Sequence, residues 1–252
     1  MVVCPKCGFK ESNETFECPK CGLIYSKYRD QNTRKPEVAQ PRPPDKKIQE
    51  NRGPQYDSFM ANLLFSLNPK ADRVDFILRS VLFAVFFIWG WCFIFSSVND
   101  QPFGSGFWHM INLPFHEAGH IFFRPFGRLV TSMGGTLAQL LLPCICMGVF
   151  LVKTRDTFAA SFCVWWLGQN FMDIAPYIDD ARRLTMPLVG GNTGQTSPYG
   201  FHDWEYVLTE TKLLRHDHMI ASLSHGLGTC LILLAFAWWA YLLFGYYKQL
   251  ET

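Results

Sequence analysis

A short stretch near the middle of the chain combines residue types that can hold a metal ion and move a proton. It reads His116-Glu117-Ala118-Gly119-His120, the pattern H-E-x-x-H. On a helix, residues four positions apart lie on one face, so His116 and His120 can direct two imidazole nitrogens at one ion. Zinc with an open position lowers the pKa of a bound water toward neutrality, and Glu117 lies beside it to accept the proton. The stretch therefore predicts a catalytic zinc ion, with Glu117 as general base.

The surroundings of this stretch favour a functional interpretation. No Asp, Glu, Lys or Arg lies between Asp100 and His116, and the flanks are rich in Phe, Ile and Leu. Ionisable groups are costly in so apolar a helix unless they serve a function. The alternative is a histidine pair satisfied by the backbone or by each other, since buried polar groups need partners.

A second metal-binding pattern occupies the N-terminus. It consists of two C-x-x-C pairs, each followed by glycine: Cys4-Pro5-Lys6-Cys7-Gly8 and Cys18-Pro19-Lys20-Cys21-Gly22. The segment resembles the small zinc-ribbon modules found at protein termini, and four thiolates would fill a tetrahedral, structural zinc site. So short a segment needs the ion to fold, and reduced thiols indicate a reducing compartment. A redox dithiol pair is the alternative, although such pairs usually lie in a βαβ unit.

Composition divides the chain into a polar N-terminal quarter and an apolar remainder. Of the 252 residues, 49% are hydrophobic, 16% aromatic and 17% charged, which is rich in aromatics and poor in charge for a soluble domain. We expect a zinc ribbon over 1–25, a basic Pro-rich linker over 26–58 and a membrane domain over 59–252. The linker favours attraction to anionic lipid over nucleic acid, because no folded basic face or interleaved aromatic residue accompanies its charges.

Long apolar runs predict an all-α polytopic membrane protein with about five membrane helices and the small ribbon. A run of about 20 apolar residues is long enough to cross a bilayer. A short interfacial helix within 59–75 precedes runs at 76–98, 108–123, 133–152, 158–178 and 219–246.

The distribution of Lys and Arg predicts the orientation of these helices. Both residue types crowd the N-terminal tail and are absent from 99–115. We therefore expect a cytoplasmic N-terminus and helices that alternate in direction, in what we take to be a bacterial inner membrane. This alternation puts Asn99 on the outer face and Arg183 on the inner face, and it puts the two histidines in the inner half of their helix.

A zinc ion held by two histidines needs a third protein ligand. The acidic residues Asp173, Asp179 and Asp180 are the candidates, because they lie in or just after the run at 158–178. Asp173 and Asp180 are seven positions apart and would share a helix face if Pro176 leaves the helix intact.

The H-E-x-x-H stretch and the later acidic segment together resemble the site-2 protease class of intramembrane zinc metalloproteases. In that class a later helix carries N-x-x-P-x-x-P-x-D-G, whose Asp is the third zinc ligand. Here Asn170, Pro176 and the acidic end match with one extra residue, while Asp173 replaces the first Pro and the Gly is missing. The resemblance covers 107–183.

The resemblance implies a site as well as a fold. It implies that His116 and His120 hold zinc with one of the three aspartates, that Glu117 is the base and that Asn170 orients substrate. Gly134-Gly135 is similar to the Gly-rich turn that opens the intervening helix in that class. The substrate would be a transmembrane helix, unwound locally so that water and metal reach its amide.

Several alternatives stay open. The polar cluster His202-Asp203-Trp204-Glu205 could supply a zinc ligand or support one, although an ordinary loop or lid is the simpler interpretation. The leading function is an intramembrane zinc peptidase that acts on membrane proteins and recognises a cytosolic partner or substrate through its ribbon. The second is a non-catalytic membrane adaptor on the same scaffold. The third, a metal transporter, has the least support because few acidic residues lie in the spans.

Overall fold

The computed structural model describes residues 1–12, 15–25, 58–69, 71–100 and 105–251. The predicted linker at 26–58 lies outside these ranges except for its last residue. The chain divides into two compact units, Met1–Glu50 and Asn51–Thr252.

The N-terminal unit is built from two tight turns. Strand β1, Val2–Val3, pairs antiparallel with β2, Lys10–Glu11. Gly8 and Gly22 have φ angles of 71° and 69°, in the left-handed region that glycine adopts without steric cost. Each donates its N–H to the carbonyl oxygen of the first cysteine of its pair, at 2.9 and 2.8 Å. The glycines thus let both C-x-x-C segments curl around one centre.

The larger unit is helical in the part of the chain that is described. Three of its helices are long and apolar enough to cross a membrane, which fits a membrane protein. The expected count of about five is not confirmed, because α3 and α5 are less apolar. The helices are α1 Phe59–Phe65, α2 Arg73–Ile94, α3 Ser105–Phe123, α4 Arg128–Val149, α5 Thr157–Asp179, α6 Asp203–Glu210 and α7 Asp217–Glu251.

Acidic caps set where two of the long helices begin. Asp72 accepts from the Asp75 N–H at 2.9 Å, and Asp75 accepts from the Asp72 N–H in return. Asp156 accepts from the Ala159 N–H at 3.0 Å. These contacts satisfy N–H groups that have no partner within a helix, so each helix begins beside its cap. Pro176 lies inside α5 without ending it.

Helices α2, α5 and α7 pack around an aromatic core. Trp165 of α5 is fully buried, with Phe86 of α2 and Trp108 of α3 each 5.0 Å away between ring centroids. Trp239 of α7 lies 5.9 Å from Phe158. Burial of such large rings dominates core energetics, and their tilted arrangement is the favoured one.

The ends of α2 and α5 lie at the same face of the bundle. Arg183, just after α5, donates to Asn99 Oδ1 at 2.9 Å, and Val98 packs on the cluster that contains Ile178. The expected alternation is therefore wrong at this point, because it placed Asn99 and Arg183 on opposite faces.

Helix α3 starts inside the bundle, where Trp108 contacts Trp89 and Trp165, and ends at the face where α2 also ends. Helices α4 and α5 form an antiparallel pair, in which Gln139 donates to Asp173 at 2.7 Å. The start of α4 therefore lies beside the end of α5, at the face where α2 also ends. The chain between Asn99 and Arg128 thus enters and leaves the bundle on one side. The physical reason is that α3 carries a run of polar side chains that face α4 and α5: His109, Asn112, His116 and His120.

The antiparallel contact between α3 and α4 depends on glycine. A Cβ on Gly119 would overlap the Gly134 carbonyl group and lie 2.7 Å from Ala138 Cβ. A Cβ on Gly134 would in turn lie 2.8 Å from the Gly119 carbonyl oxygen. Small residues let membrane helices approach this closely. Gly134 and Gly135 lie inside α4, not in the turn that the resemblance suggested.

We expect Gly119→Ala to destabilise the protein by about 1–3 kcal/mol, because the added methyl group forces α3 away from α4. Gly148→Ala is the matched control, since a Cβ there meets nothing within 4 Å and alanine should stabilise a helix by about 0.5–1 kcal/mol. Unfolding in mild detergent, followed by circular dichroism, measures both. Equal stability of the two variants would contradict the close contact.

Candidate metal centre

Two histidines and one aspartate meet beside the end of the α3–α4 pair. His116 and His120 of α3 place their Nε2 atoms 3.4 and 3.2 Å from the same Asp203 oxygen, Oδ2. Asp203 opens the short helix α6 and lies 87 positions from His116 in sequence. The ligand atoms of the three residues all lie within 4.8 Å of one another, and the group could hold a metal ion.

The spacing of these atoms fits a tetrahedral metal site. Zinc binds imidazole nitrogen and carboxylate oxygen at about 2.0–2.2 Å, which separates neighbouring ligand atoms by about 3.3–3.5 Å in a tetrahedron. The two measured separations, 3.4 and 3.2 Å, are close to that range. Lone pairs this near to each other repel, so a cation or a proton must lie between them.

The other ring nitrogen of each histidine is committed to an oxygen acceptor. His116 Nδ1 donates to Gln139 Oε1 at 3.1 Å, and His120 Nδ1 donates to the Thr131 carbonyl oxygen at 2.8 Å. A neutral imidazole with its proton on Nδ1 has its lone pair on Nε2. Both Nε2 atoms are therefore available as ligands, with outer contacts of the kind that metal-binding histidines usually have.

A chain of hydrogen bonds through Gln139 and Asp173 holds His116 in place. Gln139 Nε2 donates to Asp173 Oδ2 at 2.7 Å, which turns the Gln139 carbonyl oxygen toward His116. His109 Nδ1 and Asn112 Nδ2 also contact Asp173, each at 3.2 Å. Asp173, one of the three predicted ligands, thus contacts Gln139 and lies one residue away from the atoms that could bind a metal ion.

Helix α6 is fixed in place by its own cap and by α4. His202 is buried, and its Nδ1 accepts from the Glu205 N–H at 3.2 Å. Arg128 of α4 lies 4.5 Å from the Tyr206 ring centre and donates to the Tyr199 carbonyl oxygen at 3.3 Å. These contacts hold the start of α6, and Asp203 with it, over the histidines.

The surroundings of Asp203 keep it ionised. Burial raises the pKa of Asp203, but when His116 and His120 carry a proton on Nε2 as well as on Nδ1, their hydrogen bonds and charge outweigh burial and lower it below the usual value. Burial lowers the pKa of the neighbouring His202. The site therefore presents one carboxylate beside a neutral capping imidazole.

Gly135 of α4 lies directly against the rings of His116 and His120. A Cβ on Gly135 would lie within 2.6 Å of His120 Nε2 and nearer still to His116 Nε2. Only a glycine at this position of α4 leaves space for both rings. The side chains of His116, His120 and Asp203 are 19, 22 and 26% exposed, so the remaining side of the centre is not covered by the described part of the protein.

The other predicted site residues lie elsewhere. Asp179 pairs with Arg183 at 3.0 Å and contacts His218. Asp180 is fully buried and accepts from Thr185 and Met186, at 2.8–3.1 Å, which anchors the loop after α5. The structure brings Asp203 to the two histidines in place of any of these aspartates.

Two further predicted residues differ in their exposure. Asn170 is fully buried in α5, and neither its amide nitrogen nor its oxygen has a hydrogen-bond partner among the described residues. Glu117 is exposed on α3, between the two histidines in sequence. Glu117 is thus accessible to a bound molecule, whereas Asn170 is enclosed by the bundle.

The N-terminal cysteines form a second, closed cluster. Sγ atoms of Cys4 and Cys21 lie 3.7 Å apart, as do those of Cys7 and Cys18. Zinc–sulfur bonds of about 2.3 Å separate tetrahedral ligands by about 3.8 Å, so the four sulfurs fit one zinc ion. Burial opposes ionisation of Cys4, yet the N–H groups of Cys7 and Lys6 lower its pKa to about 6.

The fourth thiol shows why this cluster needs a cation. The Leu23 N–H lowers the pKa of Cys21, but burial and the three neighbouring sulfurs outweigh it and raise the pKa to about 12. Four sulfurs this close cannot all ionise without a positive charge between them. The cluster could bind a zinc ion, as its spacing in sequence predicts.

No protein-family model matches this chain, and no curated protein or solved structure matches it either.

We expect the purified full chain to hold two metal ions, one in each cluster. Asp203→Asn should leave one, because it removes the charged ligand of the candidate centre in the larger unit. Asp179→Asn and Asp180→Asn should each leave two and serve as matched controls. Cys7→Ser should also leave one ion, because it removes a ligand of the cysteine cluster and leaves His116, His120 and Asp203 intact. Metal analysis after gel filtration measures the ratio, and two ions in Asp203→Asn would exclude Asp203 as a ligand.

Removing the acceptor of His116 should weaken metal binding without removing a ligand. We expect Gln139→Met to lower the metal affinity of the centre in the larger unit about 10–100-fold, because the His116 ring loses the contact that fixes its tautomer. Competition with a chelator measures the affinity. The Cys7→Ser background isolates this centre from the ribbon, and unchanged affinity would show that Gln139 does not position His116.

Proposed function

We propose that the chain is a membrane-embedded, zinc-dependent endopeptidase. The observation that carries this proposal is the meeting of His116 Nε2, His120 Nε2 and Asp203 Oδ2 at 3.2–3.4 Å, beside an exposed glutamate on the same helix. Three protein ligands with one side open to solvent are typical of catalytic zinc sites, whereas structural sites are closed by four.

Each residue has a distinct role in the proposed reaction. His116, His120 and Asp203 would hold zinc, which supplies Lewis acidity at the open side. Glu117 would take a proton from the attacking water and return it to the leaving amine. Gln139, itself held by Asp173, would keep His116 in the tautomer that binds metal. The reaction is amide hydrolysis, so a carboxylate and an amine are its products.

The proposed substrate is a membrane-embedded protein segment. Apolar side chains directly follow the second histidine, and Ile121 and Phe122 are 76 and 74% exposed. Such side chains on a chain with membrane-crossing helices offer an apolar surface beside the centre. The amide to be cleaved must first leave its helix, because a helical carbonyl group is hydrogen-bonded within its own segment.

The proposed cellular location rests on the long apolar helices and on the cysteine cluster. We place the larger unit in a membrane as a multi-pass protein, with the N-terminus in the cytoplasm, where thiols stay reduced. The ribbon would recognise a cytosolic partner or the substrate. Its exposed Phe16, 73% accessible, is the type of side chain that such recognition uses.

A non-catalytic adaptor is the second candidate. It is favoured by the fact that the ribbon is a compact unit of its own and by the departures from the N-x-x-P pattern. A metal count does not separate the two functions, because a pseudoenzyme could hold both ions. Only a test of Glu117 does.

We expect Glu117→Gln to lower cleavage of a co-expressed membrane substrate by about 10²–10⁴-fold while both metal ions stay bound, because it removes the proton acceptor alone. Glu210→Gln is the matched control, since Glu210 contacts Tyr199 at 3.0 Å on the exposed side of α6. Immunoblots of substrate fragments, with metal analysis of the same preparations, measure both. Full cleavage by Glu117→Gln would defeat the proposal.

A further inference from the structure

A groove lies between α2, α5 and α7, apart from the metal centre. Its volume is about 410 Å³, within the range of about 300–1,000 Å³ that ligand pockets occupy. The side chains of Phe86, Phe162 and Trp239 line its apolar part, and charged residues line the other end. The groove is therefore amphipathic along its length.

The charged end is organised around one arginine. Arg79 Cζ lies 4.9 Å from the Phe158 ring centre and 5.0 Å from that of Tyr246. Its side chain is only 16% exposed, so the guanidinium group is held in place. Asp156 is its only ion-pair partner among the described residues, at 3.4 Å. A guanidinium group has five N–H donors, so several can serve a ligand.

The remaining charges at this end are acidic. Asp75 and Asp156 line the groove together with Arg79, and Asp156 also caps α5 through the Ala159 N–H. One cation with two carboxylates suits a ligand that carries both a negative and a positive group. A purely anionic ligand would meet repulsion from the carboxylates.

The groove opens toward the surface that lipid would cover. Leu78 and Leu82 of α2 line it and are 57 and 48% exposed, and α2 is one of the helices long and apolar enough to cross a membrane. Its charged end is near the start of α2, where a crossing helix meets the lipid headgroups.

We propose that this groove binds one phospholipid with an ethanolamine headgroup. Arg79 donates to the phosphate oxygens, and the ammonium group donates to Asp75. One acyl chain lies along Leu82, Phe86 and Trp239. An ethanolamine ammonium has three N–H donors for a carboxylate, whereas choline has none and a glycerol headgroup lacks the positive charge.

Native mass spectrometry of the full chain tests this site, with phosphatidylethanolamine, phosphatidylcholine and phosphatidylglycerol of matched acyl chains as probes. We expect the ethanolamine lipid to bind most tightly and Arg79→Gln to weaken it about tenfold. Asp75→Asn should remove the preference for ethanolamine over choline. Arg73→Gln is the matched control, because Arg73 begins the same helix but does not line the groove.

The other outcomes overturn the proposal. Equal binding of the three lipids, unchanged by Arg79→Gln, would mean ordinary lipid around the protein. Preference for the glycerol headgroup would mean an anionic-lipid site. Because Arg79 also packs on Phe158 and Tyr246, Leu82→Trp gives a test that is independent of this packing: it fills the apolar part, keeps the charges and should also weaken binding of the ethanolamine lipid. Circular dichroism and gel filtration check that each variant is folded.

Discussion

The convergence of three lone pairs at one point is the constraint on which the larger unit depends. Two imidazole nitrogens lie 3.4 and 3.2 Å from one carboxylate oxygen, and in an apolar bundle such an arrangement is unfavourable unless positive charge lies between them. The Nδ1 protons of both histidines are already given to Gln139 and Thr131. Metal binding therefore needs no rearrangement of either ring, which reduces the free energy required to organise the site.

Close packing of backbone against backbone makes that convergence geometrically possible. Gly119 and Gly134 bring α3 and α4 into contact, and Gly135 leaves space for the rings of His116 and His120. A side chain at Gly134 or Gly135 would push the two histidines of α3 away from Gln139 and Thr131, which both belong to α4. The pairing of the helices and the tautomers of the histidines thus depend on the same surface of α4.

The sequence predicted local features well, because these depend on neighbouring residues. The i, i+4 spacing of His116 and His120 places both on one helix face, and apolar runs locate the long helices to within a few residues. Asp203 could not be assigned in the same way, because a candidate ligand 87 positions away from His116 is brought in by packing of α6 on α4. Its signal was the cluster of polar residues around it in an otherwise ordinary loop. The aspartates in and just after α5 were the predicted ligands because they lie in or beside an apolar helix, and Asp173 there contacts Gln139, which in turn contacts His116.

Topology was harder to predict because charge alone does not fix the path of α3. The rule based on Lys and Arg assumes that each apolar run crosses the membrane, whereas α3 ends at the same face of the bundle where Asn99 and Arg183 meet. Its polar residues need partners in α4 and α5, and a helix that ends at this face supplies these while keeping the histidines near one face. A site placed there can be reached by water from that face, whereas the same residues on a crossing helix would be enclosed at mid-depth. The path of α3 and the partial exposure of His116 and His120 are therefore two consequences of one requirement, that polar groups in a bundle be both paired and accessible.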